Sequence, residues 1–202
     1  MERNWKRIGA WCGILAGVQF VIITFAIMIP YPEGYSFLEN SFSSLGWSVT
    51  RGVPTPLNWF MFATATTLGG ALSIPFWLTI RTAFTETTPQ KALSSIGTII
   101  GVIAGPCLAG VGIFAGDVFP YQHGWSTLLF FILYAIAVAF YSVAIILNKE
   151  YGYVYALVGF IACIILFLHI YVIGGAAMQK LTVYTIILYS VFQGHRLLKM
   201  YQ

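Results

Sequence analysis

The chain has 202 residues, 59% of them hydrophobic and 8% charged, with a formal net charge of +4 and a mean hydropathy of +0.84. Soluble domains carry about one quarter charged residues, so this composition excludes a soluble globular domain and leaves no soluble basic surface for nucleic acid. It describes one all-α transmembrane domain over residues 1–202, in which each span needs about 20 apolar residues.

The basic start Arg3, Lys6 and Arg7 leads into the first apolar run, Ile8 to Ile29. That run exceeds the apolar stretch of a secretory signal and ends in Ile29-Pro30-Tyr31 without a small-residue cleavage site, so it reads as a retained span. Five more runs follow: Leu57 to Ile80, Ala92 to Ala115, Trp125 to Leu147, Gly152 to Ile173 and Leu181 to Leu198. They are continuous and lack the alternation of barrel strands, which predicts a bundle of six transmembrane helices. Pro75 and Pro106 are expected to kink the second and third spans.

Gly9, Gly13 and Gly17 in the first span and Gly97, Gly101 and Gly105 in the third recur at intervals of four. Each triplet makes a smooth helix face on which backbones can approach closely, either inside the bundle or as a homo-oligomer seam. Cys12, Cys107 and Cys163 fall inside spans with no close pair, which gives neither a disulfide framework nor a thiolate metal site.

The longest connection, Pro30 to Pro56, contains Tyr-Ser-Phe-Leu-Glu-Asn-Ser-Phe-Ser-Ser-Leu-Gly-Trp from Tyr35 to Trp47. Ser36 and Glu39 have capping-box spacing and Gly46 offers a helix stop, so a short amphipathic helix is expected, with Leu38, Phe42 and Leu45 on its apolar side. Asp117 and His123 occupy the turn between spans three and four on the same face. His169 lies inside span five, and an ionisable group at that depth is a functional candidate by default.

Lys and Arg near span ends are held in the cytoplasm. With six spans, Arg3, Lys6, Arg7, Arg81, Lys91, Lys149, Arg196 and Lys199 fall on the side of both termini, and only Arg51 and Lys180 on the other. Both termini are therefore expected to be cytoplasmic, and the net charge reflects topology and contact with membrane lipids.

Asn40-Ser41-Phe42-Ser43-Ser44-Leu45-Gly46, Pro56-Leu57-Asn58-Trp59-Phe60, Gly112-Ile113-Phe114-Ala115-Gly116-Asp117, Phe119-Pro120 and His123 together carry a resemblance. The chain resembles the uncharacterised six-span membrane family called domain of unknown function 998, which is itself distantly similar to membrane proteins implicated in GPI-anchor lipid remodelling. The family usually has an Asn-x-Ile-Ser-Asp-Leu-Gly-like loop; here Phe42 stands for the Ile and Ser44 for the Asp. The resemblance implies a lipid connection, with Asn40, Ser43, Gly46, Asn58, Asp117 and His123 as motif positions.

The expected site is an outer vestibule that binds or modifies a lipid or other amphipathic molecule. Its rim would be Asn40, Ser43, Asp117 and His123, with Asn58 nearby and His169 as its floor. Asp117 and His123 are the candidate catalytic pair, because a carboxylate beside an imidazole can fix its tautomer for general-base work. A small transporter or channel, or a non-catalytic assembly component, are the alternatives. No cofactor and no metal is expected: phosphate-loop, metalloprotease-helix and nucleophile-elbow patterns are missing from the sequence, and the ligand-type residues are widely spaced.

Overall fold

The computed structural model describes residues 2–202, and the Arg3 side chain counted above lies outside what it describes. Six helices account for most of the chain: α1 (Glu2–Met28), α2 (Pro56–Arg81), α3 (Thr88–Ile113), α4 (Pro120–Leu147), α5 (Tyr153–Tyr171) and α6 (Ala176–Met200). Their starts follow local chemistry. Pro56 and Pro120 stand at first helical positions, where a missing N–H costs nothing. The Thr87 hydroxyl accepts the Gln90 amide at the head of α3. Gly152 and Gly175 precede α5 and α6 with φ of 100° and 96°, a conformation that suits only glycine readily.

Consecutive helices pack side by side, and α6 packs back on α1, which closes the bundle into a ring. Lys6 Nζ lies 5.3 Å from the Tyr201 ring centre, while the Tyr201 and Thr82 hydroxyls are 2.6 Å apart. The first and last helices thus begin and end at one end of the ring, beside the α2–α3 turn.

Five of the helices, α1 to α5, are long and apolar enough to cross a membrane. Large apolar side chains point outward around the ring, among them Ile22, Phe60, Ile99, Leu157 and Leu188. This is a multi-pass integral membrane protein. The sixth helix is less apolar because it turns polar groups inward: Lys180, Thr182 and Gln193 are all buried. Gln193 accepts the Tyr151 hydroxyl at 2.8 Å and donates to the Tyr155 carbonyl at 3.1 Å, so its amide is paired without water.

Both glycine triplets are packed inside the chain. A Cβ on Gly9 or Gly13 would strike Thr79 or Phe76 of α2, and one on Gly17 would strike Ile187 of α6. Gly97 faces Tyr141, Gly101 faces Trp77, and Gly105 faces the backbone of Gly70. At Gly70 and Gly105 backbone meets backbone: a Cβ on Gly70 would sit 2.3 Å from the Gly105 carbonyl oxygen.

The loop between α1 and α2 departs from expectation. Instead of one capped amphipathic helix there is a turn at 37–39 followed by a 3₁₀ turn, Ser43–Gly46. The Asn40 side chain takes the Ser36 amide at 2.8 Å, and the Tyr35 hydroxyl binds the Asn40 and Ser41 carbonyls at 3.0 Å each. These contacts close the loop on itself where a helix would have needed those groups. Phe42 and Leu45 are buried as the pattern suggested, whereas Leu38 is 71% exposed.

Beyond it, β1 (Val49–Thr50) and β2 (Val53–Pro54) pair antiparallel around Arg51-Gly52. Both turn residues have positive φ, 52° and 79°, as a tight two-residue hairpin requires. Arg51 pairs with Glu33 at 2.7 Å on the surface.

Candidate functional site

Two cavities meet at the end of the ring away from the termini. The inner one, of about 90 Å³, runs between the helices and is lined by residues of α1, α2, α3, α4 and α6. Its lining on α2 extends from Phe62 to Trp77, fifteen residues apart, which is about 22 Å at 1.5 Å per residue. No Asp, Glu, Lys, Arg or His lines it among the described residues; Phe20, Phe130, Val183 and Ile187 are typical walls. The outer cleft is larger, about 470 Å³, and polar: Glu39, Asn40, Ser41, Ser44, Thr50, Arg51 and His169 line it.

One strip of chain separates them. Asn40, Ser41 and Ser44 face the cleft, Phe42 and Ser43 face the cavity, and Gln179 of α6 borders both. The strip is fastened to α6. The Phe42 amide donates to Gln179 Oε1 at 2.9 Å, and Lys180 Nζ donates to the Asn40 carbonyl.

Lys180 is only 2% exposed and has no carboxylate partner among the described residues. Its charge is met by the rings of Tyr35, Phe37 and Phe42, whose centres lie 5.3, 5.2 and 5.5 Å from Nζ, and by main-chain oxygen. Aromatic faces and carbonyl dipoles are what a desolvated ammonium needs in place of water.

The candidate residues divide into four places. Asn40 and His169 line the cleft together, and Ser43 lines the cavity. His169 stands edge-on to Phe131 at 5.1 Å, and its Nδ1 is buried with no hydrogen-bond partner. Asn58 is buried at the head of α2 and its Nδ2 has no partner. Asp117 and His123 sit on the α3–α4 turn and border neither cavity.

That turn has its own chemistry. The Asp117 carboxylate accepts the Ser48 amide at 3.0 Å, the Ser48 hydroxyl at 2.7 Å and the Val49 amide at 2.9 Å, which pins the hairpin to the bundle. Partial burial pushes its carboxyl up, but the bonds from Ser48 and Val49 outweigh this and hold it below the ordinary carboxylate range. His123 Nδ1 lies 3.0 Å from the Phe114 carbonyl. A carbonyl only accepts, so Nδ1 carries the proton and closes the end of α3. Asp117 and His123 are thus each engaged with backbone, not with one another. Among the described residues no group of three or more His, Cys, Asp or Glu side chains is arranged to hold a metal ion.

No family model, curated protein or solved structure matches the chain. What bears on function is the geometry of the site itself.

That geometry brings forward residues the sequence pattern did not single out as a site. Lys180 counted there only as one of two basic residues on the outer side. The signal available was its isolation: a lone Lys in the first turns of an otherwise apolar helix, on the side where the charge rule leaves few. Gln179 and Trp77 gave no such signal.

Proposed function

We propose that this protein is a six-span membrane protein, both termini cytoplasmic, that binds a lipid or other amphipathic small molecule from the outer face. The polar part lies in the cleft and the apolar part in the cavity. One observation carries this reading: a polar cleft and an uncharged apolar cavity share the strip Asn40 to Ser44 as a common wall. An amphiphile needs both environments within one molecular length. A narrow cavity whose lining extends about 22 Å along α2 suits a chain better than a compact ring system.

Further support comes from the placement of charge. Lys91, Lys149 and Lys199 belong to the end that holds the termini, whereas Lys180 and Arg51 border the cleft end. By the positive-inside rule this distribution supports an outward-facing cleft. The sixth helix joins the spans because its polar side chains face inward and Leu181 and Leu188 face out. The motif through which the chain resembles the uncharacterised six-span family, Asn40 to Gly46, includes the dividing strip, which fits a shared lipid connection.

The test is retention of ligand. Purified in mild detergent, the wild-type protein should carry an amphiphile identified by mass spectrometry of the extract. Val183→Trp, which fills the cavity, should lose most of it while keeping its melting temperature. An empty wild-type protein, or equal retention by the variant, would overturn the reading.

A further inference from the structure

The deep end of the cavity is walled by an indole. Trp77 is fully buried and lines the cavity, yet its Nε1–H has no acceptor among the described residues. The indole is not free to look elsewhere. It stacks on Tyr141 at 5.5 Å and 27°, meets Tyr134 edge-on at 5.5 Å, and fits against α3 only because residue 101 lacks a side chain.

The hydroxyls that share the cavity wall with it are already committed. Ser73 donates to the Gly70 carbonyl at 2.7 Å, and Thr66 bonds carbonyls of its own helix at 3.1 Å. Tyr134 reaches the Ile186 carbonyl at 3.3 Å and Ser190 at 2.8 Å, so Tyr134 donates to the carbonyl while Ser190 donates to Tyr134. Among the side chains that line the cavity, Trp77 carries the one buried donor without an acceptor among the described residues; the Thr79 and Tyr189 hydroxyls, also buried and unpartnered, belong to residues that do not line it. A buried N–H without a partner is costly enough to need an explanation.

We propose that Trp77 Nε1–H is a binding subsite for a neutral oxygen acceptor, a carbonyl or hydroxyl oxygen, carried on an otherwise apolar chain. The inference rests on the cavity holding a chain, and it adds the chemistry at that chain's inner part. The oxygen is uncharged, because no cation lines the cavity to balance a carboxylate or phosphate. A plain saturated chain would leave the indole unsatisfied.

The experiment compares 2-tridecanone with tridecane, added to the purified full-length protein in detergent. The readouts are thermal shift and the indole N–H resonances in nitrogen-15-labelled protein. In the wild type the ketone should bind about two- to tenfold more tightly than the alkane, the range expected of one neutral hydrogen bond. It should also move one indole N–H resonance downfield. Trp77→Phe keeps the ring and removes the donor, so the preference should vanish while alkane binding persists. Equal binding of both probes to the wild type, with no indole resonance moved, overturns the subsite and leaves the chain-binding cavity standing. Binding of neither probe overturns both. Should Trp77→Phe fail to fold, the wild-type resonance decides alone: no indole displacement by the ketone ends the proposal.

Discussion

Gln179 accepts the main-chain amide of Phe42 across 137 positions of sequence, at 2.9 Å, and its neighbour Lys180 donates to the carbonyl of Asn40. The dividing strip is thus held by two successive side chains at the head of α6. One amide hydrogen bond contributes about 1 kcal/mol net, and a desolvated cation–π contact up to about 2 kcal/mol.

Lys180→Met should therefore loosen the strip before it loosens the bundle. Hydrogen exchange of amides 40–46 is expected to rise at least tenfold, with those in the middle of α3 and α4 unchanged. Uniform exchange in the variant and the wild type would mean that the strip is held by something else.

Asp117 gives a pH window. Its folded pKa is lowered, so it contributes stability above the unfolded value near 3.9 and loses it as pH falls through the still lower folded value. The carboxylate is exposed, which limits the contribution to about 1 kcal/mol or less. Proteolysis of the hairpin at 48–54 should stay slow at neutral pH and accelerate below about pH 4. Asp117→Asn should be cleaved faster at neutral pH and show a flatter acid response. An unchanged acid response in that variant would assign the transition to another carboxylate.

The contact of α2 with α3 permits little adjustment, because backbone meets backbone at Gly70 and Gly105. Gly70→Ala is expected to cost about 1–3 kcal/mol, the range for overpacking a tight contact. Gly124→Ala in α4, where a Cβ would meet nothing within 4 Å, should be neutral or stabilise by up to about 1 kcal/mol. Equal melting temperatures for the two variants would show that α2 and α3 have room to separate at Gly70.

Orientation can be read by labelling. In a background without cysteine, Glu39→Cys should react with an impermeant maleimide on intact cells, and Gln202→Cys only after permeabilisation. Both positions are exposed. The reverse pattern would turn the cleft toward the cytoplasm.

Much of the helical framework was legible because lipid imposes a simple condition: a span must be long, apolar and internally hydrogen-bonded. The six runs lie on the six helices, and the main errors are at ends such as Thr88 and Pro120, where polar turns continue the helix past its apolar part. The loop between α1 and α2 was misread for a physical reason. Ser36 and Glu39 satisfy a local rule, but the Asn40 side chain and Tyr35 compete for the same groups, and Lys180 then fixes the result from 140 residues away. Asp117 was correctly placed beside the first loop. Its lone pairs, however, go to Ser48 and Val49, partners that spacing alone does not reveal. Trp77 was unreadable as a site because an indole in an apolar run looks like packing until its nitrogen is seen to lack a partner.

Closure of the ring by α6 against α1 also sets the order in which the protein can become itself during synthesis. A chain that has emerged only as far as residue 175 has neither the Val183, Ile186 and Ile187 side of the cavity nor the two side chains that fasten the strip. It is an open trough of five helices, greasy on both faces, with its interior exposed to whatever surrounds it. The compartment is complete only once α6 stands against α1 and supplies that wall.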